Sequence, residues 1–162
     1  MNILEQELDE FRRTPDGKVI QGCSHTSRIL SHKYRNKIIM DSYVGLKPYT
    51  NKYDAIACRG VSGIMVVPQI AELLNKNIII VRKQIDGYSD FMVEGAYTHK
   101  YIIIDDLICS GDTVKTIIKN IGEEMPQAKC IGVWSYMKDQ CAYRTMPEWC
   151  EKDLGVPYLC TK

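Results

Sequence analysis

Residues 101–114, Tyr-Ile-Ile-Ile-Asp-Asp-Leu-Ile-Cys-Ser-Gly-Asp-Thr-Val, constrain the fold of this 162-residue chain more than any other stretch. Tyr101 to Ile104 is an apolar, largely β-branched run of the kind covered on both faces in a parallel sheet. Asp105 and Asp106 then fall at the carboxyl end of that strand, where open α/β sheets hold their ligands. Ser110, Gly111, Asp112 and Thr113 form a tight turn into a helix on which Val114, Ile117, Ile118 and Ile121 recur at helical spacing. Strand, acidic pair, turn and helix in this order predict an α/β fold.

The chemistry follows from the residue types. Two adjacent carboxylates can accept hydrogen bonds from the vicinal hydroxyls of a ribose, or lie close to a divalent cation carried by the ligand. Backbone N–H groups at the start of the next helix, with the helix dipole behind them, favour a phosphate. Ser110 and Thr113 add hydroxyl donors, and Gly111 lets the backbone approach an anion closely. Taken singly, each of these residues also suits an ordinary strand end or helix cap. Together they describe a cradle for a sugar phosphate.

The segment Ile102 to Val114 resembles the phosphoribosyl pyrophosphate (PRPP) signature of type I phosphoribosyltransferases: an apolar strand, two acidic residues and a Thr/Ser-Gly-x-Thr loop. The resemblance implies that Asp105 and Asp106 hold the ribose hydroxyls and are the catalytic pair. It also implies that the loop Cys109, Ser110, Gly111, Asp112 and Thr113 wraps the 5′-phosphate. Asp112 stands where the family often has glycine or a neutral or basic residue. A carboxylate beside a phosphate is repulsive unless it turns away, so an outward orientation is expected.

A second element repeats the design. Tyr53 to Ala57 reads as a strand, Cys58-Arg59-Gly60-Val61-Ser62-Gly63 as a glycine turn, and Ile64 to Asn75 as a helix. It lies about 45 residues before the acidic pair, and its Arg-Gly-x-x-Gly pattern resembles the diphosphate loop of the adenine and orotate branches. That likeness implies diphosphate contacts from Arg59 and Gly60, and a cis peptide beside Cys58 or Arg59. Asn77 to Val81 is a third strand, and Arg82-Lys83 at its end resembles the cationic pair of the same branches, suited to a diphosphate.

The connection from Gln84 to Ser89 is short and leads to a strand over Phe91 to Glu94. Relatives place a longer closing loop here. Orotate enzymes carry a lysine where this chain has Asp86, although Glu94-Gly95 resembles that branch. Cys109 suits the adenine and orotate branches, which have a small residue at its position. Lys138, at the end of a strand over Cys130 to Met137, matches the base-contacting lysine of oxopurine enzymes. The nucleobase therefore stays open. Trp134, Tyr136 and Trp149 could stack on a base, but buried aromatic residues are more often core.

A net charge of +1 argues against a general nucleic-acid binder. Seven cysteines without a Cys-x-x-Cys pair, and no signal peptide, fit a reducing cytoplasm and not a secreted disulfide framework. Cys130, Cys141, Cys150 and Cys160 do not match a familiar zinc spacing, and no run of eighteen apolar residues predicts a membrane span. Residues 1–14 pattern as an amphipathic helix with Ile3, Leu4, Leu8 and Phe11 on one side, and Lys37 to Val44 reads as a strand. Val156 to Leu159 reads as a final strand.

The resemblance thus implies a type I phosphoribosyltransferase fold: a mainly parallel twisted sheet flanked by helices, in a single domain of residues 1–162. The core would run from about 38 to 138, with a small hood built from 1–37 and 139–162. It implies an enzyme that transfers the phosphoribosyl group of PRPP to a nucleobase and releases diphosphate, with substrate-borne Mg2+ and no metal held directly by protein. The alternative is a non-catalytic PRPP- or nucleotide-binding regulator, which the short loop and Asp86 favour. The expected partners are these small molecules, without nucleic acid or membrane, and a homodimer is left open.

Overall fold

The computed structural model describes residues 15–16, 29–85, 89–108, 110–137 and 146–159, giving only the backbone for 146–149. The helix expected over 1–14, the residues Asp86, Cys109, Lys138, Cys141 and Cys160, and the Trp149 side chain lie outside the described residues.

Helix α1 spans His32–Leu46 and runs into a 3-10 turn, Lys47–Lys52. Next come β1 (Ala55–Arg59), α2 (Gly60–Ile64), α3 (Val67–Leu74), β2 (Asn77–Val81) and β3 (Val93–Gly95). The remainder is β4 (Lys100–Asp105), α4 (Asp112–Glu124), β5 (Lys129–Ser135) and α5 (Met146–Leu154). The five strands form one sheet in the order β3-β2-β1-β4-β5. All neighbours are parallel except the edge pair β2 and β3. The apolar runs therefore occupy the three inner strands, β2, β1 and β4.

Alternate residues of these strands point to opposite cores. Ala55, Ala57, Ile79, Val81, Tyr101 and Ile103 pack with Val114, Ile117 and Ile121 of α4. Ile56, Cys58, Ile102, Ile104 and Trp134 pack with Ile39 and Leu46 of α1 and with Val67, Ile70 and Leu74 of α3. The result is a three-layer sandwich in which the chemistry-bearing loops leave the carboxyl ends of the parallel strands.

Three expectations need correction. Lys37 to Val44 is helix, not strand. The buried residues of α1 are Tyr34, Ile39, Ser42, Gly45 and Leu46, a helical spacing, and the adjacent pair Ile38-Ile39 imitates a strand. The helix expected over Ile64 to Asn75 is shorter, Val67–Leu74, with Ile64 closing the separate helix α2; Pro68, which carries no N–H, suits the opening turn of α3. Val156 to Leu159 makes one isolated bridge, Val133 with Tyr158, along the edge of β5.

Candidate active site

Asp105 ends β4, the strand between β1 and β5, so the acidic pair has a neighbour on each side. Beyond β5, the backbone N–H of Tyr136 donates to the Asp105 carbonyl (3.2 Å) and that of Met137 to the Asp106 carbonyl (3.0 Å). The Ser135 hydroxyl also donates to the Asp106 carbonyl, at 2.7 Å. One carboxylate oxygen of each acid is engaged locally: Asp106 N–H donates to Asp105 Oδ1 (3.0 Å) and Leu107 N–H to Asp106 Oδ1 (2.8 Å).

Both acids are buried, at 5% and 8% exposure. Burial first, and then the charge of Asp106, push the Asp105 carboxyl up to about 7, against the opposing pull of the Arg59 guanidinium. Two carboxylates kept from water beside each other concentrate negative charge that a cation or a set of hydroxyl donors would offset. Cys58, on the neighbouring strand, is pushed up to about 12 by burial and then by Asp105, so its thiol stays protonated.

On the β1 side, the sequence-predicted diphosphate residues converge. Arg59 closes β1, and its Nε donates to the carbonyl of Arg82 at 3.4 Å. Gly60 holds φ at 73°, and a Cβ there would stand 2.9 Å from Cε of Lys83. The Lys83 side chain thus lies against the turn, and the positive φ is what favours glycine there. No peptide bond among the described residues is cis, which corrects the expectation at Cys58 or Arg59. Arg82 pairs with Glu94 across the β2–β3 edge, a partner that sequence reasoning does not assign to the site.

A cavity of about 580 Å3 opens between Gly60, Ile64, residues 80–84 and Glu94. It takes in Gly60, Arg82 and Lys83 but neither acid nor the loop at 110–113. The two halves of the predicted site are linked through Arg59, whose charge acts on Asp105.

On the other flank, Gly111 caps α4 with φ 78° and ψ 3°, a left-handed turn that favours glycine. Asp112 is exposed, and its carboxylate accepts the Ser110 hydroxyl at 2.7 Å while its N–H donates to Ser110 Oγ at 3.3 Å. The Ser110 proton is therefore committed within the loop and not offered to an anion. Asp112→Asn is expected to tighten binding of inorganic phosphate about fivefold at low salt, with the gain shrinking as salt rises. Titration calorimetry at two ionic strengths checks this, and unchanged affinity would show that the carboxylate turns away from the anion.

No protein-family model matches the sequence, and no curated protein is significantly similar to it. Solved structures do align. The orotate phosphoribosyltransferase of Francisella tularensis superposes with a TM-score of 0.59 at 17% identity, over 97% of this chain and 84% of that one. The Mycobacterium tuberculosis orotate enzyme in complex with inorganic phosphate gives 0.63 at 13%, over 96% and 83%. Its complex with PRPP gives 0.55 at 14%, over 94% and 91%. Adenine phosphoribosyltransferase from Thermoanaerobacter pseudethanolicus gives 0.55 at 19%, over 80% and 85%.

The chain has the type I phosphoribosyltransferase fold. Asp105 ends β4 and Asp106 follows it, while the left-handed glycines Gly60 and Gly111 stand at the starts of α2 and α4. Tyr136 and Glu94 are the residues whose contacts sequence reasoning misses. Tyr136 follows the strand that pairs with β4, so the order of strands is the signal that could find it. No helix of the described residues is long and apolar enough to cross a membrane, and among them no group of three metal-ligating side chains occurs.

Proposed function

We propose that the protein transfers the phosphoribosyl group of PRPP to the nitrogen of a nucleobase, releasing diphosphate. One observation carries this reading: a buried pair of carboxylates at the carboxyl end of β4, with Arg59, Gly60 and Lys83 past the ends of the neighbouring β1 and β2 and a glycine-led helix after the acids. The acids would accept the ribose hydroxyls, residues 110–113 would face the 5′-phosphate, and the cationic turn would face the diphosphate. Breaking the anomeric bond leaves cationic character on the sugar and places the electron pair on the departing diphosphate. The protein's part is to align the two partners and to neutralise that leaving group.

The donor set suits Mg2+ that arrives with the substrate. Asp105 and Asp106 supply hard oxygens, and a small cation on PRPP would keep most of its ligands from phosphate and water. When bound, it would offset charge on the diphosphate, while the acids would contact the ribose hydroxyls beside it.

Incubation with PRPP, Mg2+ and a panel of nucleobases, followed by chromatography, tests the reading. A base-dependent nucleotide with matching diphosphate supports transfer and names the base, which the fold leaves open between orotate, adenine and others. Tight PRPP binding without product would favour the regulator. Two contacts favour that second reading: Arg82 is occupied by Glu94, and Ser110 by Asp112.

The raised Asp105 also predicts a pH dependence. Ribose hydroxyls need the ionised carboxylate, so PRPP affinity is expected to be constant well above pH 7 and to fall toward tenfold per unit below it. Because the ligand's phosphates titrate near 6 themselves, the comparison is with Asp105→Asn. In that variant only the ligand's own dependence should remain, and identical profiles would remove Asp105 from the ribose contact.

A further inference from the structure

The five residues of α2 leave a backbone group unmatched. Met65 N–H donates to Val61 O at 3.0 Å, as in an α-helix, but Val66 N–H reaches back only three residues, to Gly63 O at 3.1 Å. The carbonyl of Ser62 thereby loses the donor that a regular helix would give it. Tyr136 replaces that donor: its hydroxyl lies 3.1 Å from Ser62 O, across 74 residues of sequence. The same residue's backbone N–H holds the Asp105 carbonyl, and its neighbours Ser135 and Met137 hold that of Asp106.

Residues 135–137 are thus attached to the acidic pair by two backbone N–H groups and the Ser135 hydroxyl, and to Ser62 in the helix that follows Arg59 by one phenol. We infer that Tyr136 is a positioning residue that sets the separation between the ribose-binding acids and the diphosphate turn. This inference rests on the phosphoribosyl reading above. A ligand with diphosphate at one end and a ribose at the other must meet both halves at a fixed spacing, and misplacement by about an ångström is costly to alignment. Burial, then Asp106 and Asp105, push the phenol's titration upward, so the hydroxyl remains a donor at neutral pH.

Tyr136→Phe removes one oxygen and keeps the ring. Calorimetry with inorganic diphosphate and, separately, ribose 5-phosphate, both with Mg2+, reads the two halves. The expected result is diphosphate affinity about tenfold weaker, the scale of one lost hydrogen bond, with ribose 5-phosphate affinity unchanged and PRPP weakened at least as much as diphosphate. Equal losses for the two half-ligands would mark a general structural role and overturn the inference, as would no change in either. If the unmodified protein binds neither half-ligand, the phosphoribosyl reading itself fails, and the inference with it.

Discussion

Replacing Asp105 and Asp106 together with asparagine is expected to lower nucleotide formation at least a hundredfold, the scale of losing a preorganised electrostatic contact. The same variant should be more stable than the parent above neutral pH. Asp105 sits higher in the folded chain, about 7, than its ordinary value of 3.8. Its contribution to stability is therefore fully present below 3.8 and is lost as pH rises through about 7. The interval corresponds to about 4 kcal/mol as an upper limit, reduced by whatever the new amides lack in partners. Melting at pH 5 and pH 8, beside product assays, checks both halves. A variant that loses turnover and melts lower at pH 8 would show that the pair holds the fold together, and one that keeps turnover would take the acids out of the site. Function at the cost of stability is the usual mark of a binding centre.

The second large effect concerns the sheet's attachment to α1. Trp134 is almost fully buried, its Nε1 donates to the Ser42 hydroxyl at 3.1 Å, and its ring fills the space beside Gly45. A Cβ at Gly45 would stand 2.1 Å from the ring. Trp134→Ala should cost about 3–5 kcal/mol through the cavity it leaves, lowering the melting temperature by about 10 °C for a chain of this size. Trp134→Phe should cost less and leave base preference unaltered, since the indole packs in the core and not on a ligand. A changed nucleobase profile in the Phe variant would overturn that assignment. Gly45→Ala should destabilise from the opposite direction, by overpacking.

Much of the fold is legible in short stretches of the chain. The run Tyr101 to Ile104 carries its strand character locally, and so does the helical spacing from Val114 to Ile121. The acids therefore fall at a strand end and Gly111 at a helix start, as expected. Strand β2 occupies the expected span, Asn77–Val81, because its apolar run is short and flanked by polar residues. Helix α1 imitates a strand because Ile38, Ile39 and Met40 are consecutive, and a short apolar run has no period of its own. Arg59 reads as part of a turn but is the last residue of β1, for strand ends depend on the neighbours that pair with them.

What the sequence determined by itself was the local order of strand, carboxylates, glycine turn and helix, since backbone propensity and side-chain period act over a few residues. The tertiary structure decided everything that depends on which strands lie side by side. The order β3-β2-β1-β4-β5 brings Arg59 beside Asp105, lays Lys83 over Gly60, occupies Arg82 with Glu94 and reaches Tyr136 to Ser62. The elevated Asp105 belongs to this second class as well. Its cause is exclusion of water by packed layers on both faces of the sheet, a quantity that no run of residues carries until the chain has closed around it.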